Sequence, residues 1–170
     1  MIRETPPVEP EASRPHMPGY GLLAADEGQG LLPWSWAEQR LTASRRYWLA
    51  TVWPDGRPHV APVWGVWFEG RFFFSTGGRS RKTINLRADA ACVVTTEDAI
   101  GPVIIDGTAS AVTDPDRLQT VIEAYSAKYA DSPPDPVENP IFEVTPIRAI
   151  GLAEDEAHFT ASATRWTFPT

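Results

Sequence analysis

An apolar triplet, Phe72-Phe73-Phe74, runs into Ser75-Thr76-Gly77-Gly78 and then into Arg79-Ser80-Arg81-Lys82-Thr83-Ile84-Asn85-Leu86. That order dictates a strand, a sharp turn and a helix. Aromatic residues favour the pleated, half-buried surface of a sheet. Two successive glycines give the backbone freedom to leave it, and Ser80 offers a hydroxyl to the orphan amides of a new helix. The residues after this cap run against helix electrostatics. The macrodipole makes a helix start positive, so Asp or Glu stabilises it, yet Arg81 and Lys82 stand there. Such a start is mildly unfavourable unless an anion occupies it. Converging amides, a hydroxyl and cations at a helix N-terminus bind phosphate groups.

The surrounding charge sharpens the contrast. The 170-residue chain carries a net charge of −7 and a pI near 4.9. Arg71, Arg79, Arg81, Lys82 and Arg87, five of its fifteen basic residues, nevertheless fall in one acid-free stretch. Two readings of the pattern stand side by side, a phosphate site and a solvated basic helix face. It is not a P-loop, because the G-x-x-x-x-G-K-[ST] spacing is missing.

Hydrophobic patterning places the rest of the chain. Residues 1–30 read as a flexible N-terminal arm, with five prolines before Gly19 and no apolar period. Residues 31–170 read as one domain with a sizeable core. A helix begins around Pro33, with Trp34 and Trp36 as core or lid residues or as ligand contacts. Tyr47–Trp53 reads as a strand, Pro54-Asp55-Gly56 as a turn, and His59–Phe68 as the returning strand. Pro58 and Pro62 lack amide donors, which puts that strand at an edge or a bulge. With Arg71–Ser75 it would complete a meander. Strands follow at Ala90–Thr96, at Pro102–Val112 with a bulge at Asp106-Gly107, and at Ile141–Leu152 with an interruption at Pro146. A final strand is expected at Ala163–Phe168. Asp114-Pro115-Asp116 opens a helix whose Leu118, Val121, Ile122, Tyr125 and Tyr129 share one buried face. The expected fold is mainly β (β+α), a six- to seven-stranded antiparallel split β-barrel with flanking helices.

Several function classes find no support in the sequence. H-E-x-x-H, G-x-S-x-G, C-x-x-C and the dinucleotide G-x-G-x-x-G are all missing, and the three histidines are scattered. No catalytic side chain and no metal ligand is therefore assigned. The acidic balance opposes nucleic-acid binding, and no apolar run approaches a membrane span. The lone Cys92 reads as a small buried hydrophobe, and nothing calls for an oxidising compartment, so a cytoplasmic setting is expected.

Phe-Ser-Thr-Gly-Gly-Arg-Ser-Arg-Lys with Asn85-Leu86, the Trp48–Trp64 hairpin and Ala163-Thr164-Arg165-Trp166 together resemble the pyridoxamine 5′-phosphate oxidase-like split-barrel superfamily. The flavin/deazaflavin oxidoreductase branch is the nearest match, over residues 31–169. The resemblance implies hydride transfer to a small unsaturated substrate, with coenzyme F-420 (8-hydroxy-5-deazaflavin) or FMN carrying the chemistry. It implies Ser80, Arg81 and Lys82 on phosphate oxygens, Ser75 and Thr76 on phosphate or ribityl groups, and Val60, Pro62, Val63 and Trp64 seating the ring. It also implies a homodimer with the cofactor between protomers, Arg165 and Trp166 approaching from the second subunit. Packing at the interface is the plainer role for Trp166. The basic C-terminal pattern needed for vitamin B6 oxidation is missing. The alternative is a non-catalytic cofactor or tetrapyrrole carrier on the same barrel.

Overall fold

The computed structural model describes residues 9–24, 27, 30–130, 134–153 and 159–169. Its elements, in chain order, are β1 (Glu11–Ser13), α1 (Trp34–Ala43), β2 (Tyr47–Val52), β3 (Pro58–Val63), β4 (Gly65–Phe68) and β5 (Arg71–Ser75). There follow α2 (Arg81–Ala88), β6 (Ala91–Thr96), β7 (Val103–Ala111), α3 (Pro115–Lys128), β8 (Ile141–Gly151), α4 (Phe159–Ser162) and β9 (Thr164–Thr167). All strand pairs are antiparallel, in the order β1-β9-β8-β7-β6-β2-β3, with β5 joining both β4 and β8. This is the expected antiparallel architecture with flanking helices. The described residues form nine strands instead of six or seven.

The barrel splits at β8. Along one edge this strand pairs with β7 throughout. Along the other, Ile141–Val144 pairs with β5 and Arg148–Gly151 pairs with β9. The change of neighbour falls at Pro146-Ile147, where the β7–β8 register also shifts opposite Asp106-Gly107. Proline offers no ladder donor, so it stands where a ladder can change hands. The strand itself is continuous here, where an interruption was expected. Gly107 is needed at this point, because a Cβ there would lie 2.5 Å from the Thr145 carbonyl oxygen.

Both faces of β5 are covered, which is why its phenylalanines run without alternation. Phe72 and Phe74 join Leu41, Leu49, Val94, Ile105, Val144 and Trp166 in the barrel core. Phe73 faces the other way, into a second cluster with Val66, Val121, Tyr125, Tyr129 and Ile141 beneath α3. That helix is capped as its sequence dictates, with the Asp114 carboxylate accepting from the Arg117 amide at 2.8 Å.

Two expectations need correction. The strand read as His59–Phe68 breaks at Trp64, so no three-stranded meander forms. Its first half, β3, pairs among the described residues only with β2, at the edge position that its prolines require. Its second half crosses to β5, and Gly65 makes the crossing: a Cβ there would lie 2.3 Å from Phe72 Cζ and 2.7 Å from the Phe73 carbonyl oxygen. The second correction concerns the arm. Glu11–Ser13 pairs with β9, and the buried Arg14 donates to the Ala161 carbonyl at 2.5 Å and the Glu27 carbonyl at 2.9 Å. No helix among the described residues is long and apolar enough to cross a membrane.

Candidate functional site

The break after β3, the end of β5 and the start of α2 converge on one open cleft of about 330 Å³. Pro62, Val63 and Trp64 form one wall, and Ser75, Thr76 and Lys82 the other. Tyr125 lies between them, with Arg46 and Pro134 at the margins. Among the described residues the lining holds two cations and no acid. Arg46 is exposed and 3.9 Å from Glu97, a separation that contributes little in solvent. Trp64 stacks on Tyr129, ring centroids 5.4 Å apart and 9° from parallel, yet stays 49% exposed.

The start of α2 is organised by hydroxyls. Ser80 Oγ accepts from the Thr83 amide at 3.4 Å and lies 3.1 Å from both Thr76 Oγ1 and Thr83 Oγ1. Thr83 Oγ1 donates to the Gly77 carbonyl at 2.9 Å, which ties the cap to the glycine turn. Among the described residues the first-turn amides of Arg81 and Lys82 have no acceptor, as at any helix start. Lys82 is half-buried in the cleft, and among the described residues its ammonium has no hydrogen-bond or ion-pair partner. Desolvation lowers its pKa below the usual lysine value. Such a group is destabilising as it stands and is stabilised by an incoming anion.

The five-cation cluster disperses in space. Only Lys82 reaches the cleft. Arg81 lays its guanidinium over the Trp53 ring, 3.7 Å from the centroid, and Arg57 takes the same indole at 4.4 Å. Arg71 stands 3.6 Å from Glu143, and Arg87 donates to the Gly78 carbonyl. Ser80 and Arg79 line a neighbouring hollow with Glu138 and Asn139. The basic run thus divides between one cation in the cleft and others held by partners outside it.

Of the eleven expected cofactor-binding residues, the cleft brings together Pro62, Val63, Trp64, Ser75, Thr76 and Lys82. Val60 is 58% exposed on β3, outside the lining. Arg165 lies at the β1–β9 pair, donating to Ser13 Oγ at 3.2 Å. Trp166 is fully buried within its own protomer, packed edge-on against Trp34 at 5.4 Å. Its approach from a second subunit is therefore corrected to a core role: on β9 the inward positions are Thr164 and Trp166, as a two-residue period requires. Cys92 is buried as expected, its thiol pushed up to about 12 by desolvation.

Sequence reasoning missed Arg46 and Tyr125. Arg46 was within reach. The Pro54-Asp55-Gly56 turn closes on Trp53 and Arg57, with Gly56 at φ 87°, and a three-residue hairpin loop of that kind sets the register. The register pairs Tyr47 with Val63, so one step further puts Arg46 beside Trp64. Tyr125 carries no such signal, because its helical spacing reads only as core.

The pyridoxamine 5′-phosphate oxidase family matches residues 36–152, more than half of the chain. Among solved structures the chain is similar to the conserved hypothetical protein Rv2991 from Mycobacterium tuberculosis, with 25% identity over 71% of this chain and 86% of that one and a TM-score of 0.61. It is also similar to an F420 reductase, with 25% identity over 66% of this chain and 94% of that one and a TM-score of 0.55. HutZ, the heme storage protein from Vibrio cholerae, shares the fold at 19% identity, over 65% of this chain and 87% of that one, with a TM-score of 0.55. No curated protein matches the chain.

Proposed function

This chain belongs to the pyridoxamine 5′-phosphate oxidase family, and we propose that it is an oxidoreductase using coenzyme F-420 or FMN to reduce a small unsaturated substrate. One observation carries the reading: a partly desolvated lysine, with neither a partner nor an acid beside it among the described residues, stands in the cleft at the capped start of a helix. The residues suit a phosphate-bearing cofactor. Lys82, the Thr76 hydroxyl and the first-turn amides of α2 would hold the phosphate, with the Ser80 cap fixing that turn. Ser75 would take a ribityl hydroxyl, and Pro62, Val63 and Trp64 would seat the ring. The bound cofactor supplies hydride transfer; the chain binds, orients and excludes water. Arg81 joins the phosphate only by leaving Trp53. Similarity to an F420 reductase favours the deazaflavin.

A homodimer is part of the proposal. The cleft is open and sits at the low end of the roughly 300–1,000 Å³ typical of small-molecule sites. The outer face beside it is apolar: Trp48, 45% exposed, stands opposite Pro62, and Ala50 opposite the exposed Val60. A second protomer would cover this face and close the cleft, with Arg165 the remaining candidate for a contact across it. A cytoplasmic setting belongs to the same reading.

Non-catalytic carriage is the second reading. It is favoured by the lining of the cleft, where among the described residues no carboxylic acid, histidine or cysteine stands ready to exchange a proton. Absorbance titration of the purified protein with F-420 and with FMN, followed by an anaerobic hydride-transfer assay, decides among these. Binding with turnover is expected. A bound, redox-silent chromophore supports the carrier; failure to bind either cofactor ends the oxidoreductase reading, and failure to bind a tetrapyrrole as well ends the carrier.

A further inference from the structure

The β4–β5 ladder pairs Gly65 with Phe74, and its next rung would join Trp64 to Ser75. That rung is not made directly. The Ser75 amide donates to the Tyr125 hydroxyl at 3.2 Å, and the same hydroxyl donates to the Trp64 carbonyl at 2.5 Å. We propose that Tyr125 is a positioning residue whose hydroxyl, inserted between Trp64 and Ser75, holds the two walls of the cleft apart.

A direct rung would draw the amide and carbonyl to about 2.9 Å. Two legs through a phenol oxygen keep them further apart, at the residues that form opposing walls. The hydroxyl has one proton to give and accepts one, so it pairs both part-buried backbone groups only while it stays in place. Its support is rigid. Tyr125 is 2% exposed, and its ring packs beside Tyr129, whose hydroxyl accepts from the Gly65 amide at 3.2 Å. Two tyrosines one helical turn apart thus serve the same break in the sheet. Burial raises the Tyr125 pKa, so the proton stays on the phenol at ordinary pH.

The test is Tyr125→Phe, with Val121→Ala, buried under the same helix but outside the cleft, as the stability control. A crystal structure of the Tyr125→Phe variant is expected to show Ser75 and Trp64 joined by a direct ladder bond and the cleft narrowed. FMN affinity is expected to fall about tenfold or more, while affinity for inorganic phosphate, which needs only the α2 end, stays within twofold. Val121→Ala is expected to lower Tm and leave FMN affinity unchanged. Unchanged separation of the Ser75 amide and Trp64 carbonyl in the variant overturns the proposal, as does an unchanged FMN affinity, or parallel losses for FMN and phosphate. The affinity arm rests on the proposed cofactor; the crystallographic arm does not. A wild-type protein that binds neither FMN nor F-420 therefore sinks the functional reading while the separation still decides the role of Tyr125.

Discussion

Replacing Lys82 with methionine separates binding from folding. The side chain keeps most of its length and loses its charge. In the free protein that charge is a burden, since the ammonium is partly desolvated and meets no carboxylate among the described residues. Lys82→Met is therefore expected to leave Tm unchanged or raise it. Against a phosphate the sign reverses. One hydrogen bond to a charged group contributes about 1.5–3 kcal/mol, and about 1.4 kcal/mol corresponds to tenfold, so FMN affinity is expected to fall roughly ten- to hundredfold. The sign of the pH dependence follows from the lowered pKa. Between that value and the unfolded lysine value, the unfolded chain holds a proton that the folded chain has released, so the stability of the free protein rises with pH across that window. FMN affinity falls over the same interval as the ammonium is lost. Fluorescence titration with FMN and with riboflavin, which lacks the phosphate, is the assay. Equal losses for both ligands, or none for FMN, refute the assignment of Lys82 to the phosphate.

Three further outcomes are expected. Gly65→Ala drives a Cβ into the Phe72 ring and the Phe73 backbone; overpacking of this kind costs about 3 kcal/mol, a Tm loss of roughly 6–12 °C by calorimetry. Lys128, its pKa lowered to about 8 by desolvation and by Arg45, makes stability rise from about pH 8 towards 10; urea midpoints across that range should flatten in Lys128→Met. Asp114→Ala removes the α3 cap and is expected to cost about 1 kcal/mol in urea unfolding.

Much of this molecule was legible locally. Ser80 and Asp114 cap their helices because hydroxyl and carboxylate groups before a helix have few better partners than its free amides. Pro58 and Pro62 put β3 at an edge for want of two donors, and Asp106-Gly107 bulges where expected. What escaped depends on partners distant in sequence. The Trp64 break is invisible in an apolar run, because only the approach of Phe72 makes Gly65 obligatory. Arg81 looked like a phosphate ligand by its place in the helix, yet an indole across the hairpin holds it. Trp166 looked available to a second subunit, but alternation on a short strand, read without its neighbours, does not say which face is inward. Tyr125 packs as a core residue and also places a hydroxyl in a gap in the ladder, and helical spacing reports only the first.

The pairing of Glu11–Ser13 with Thr167, Trp166 and Arg165 joins segments more than 150 residues apart, and Arg14 secures it to the turn before β9. On a ribosome the strand made first must wait, unaccompanied, until the strand that receives it has emerged. Closure over so long a loop yields little until the barrel has already formed. Docking of this N-terminal strand is accordingly a late step in maturation, and its release should be the earliest event when the protein is gently unfolded.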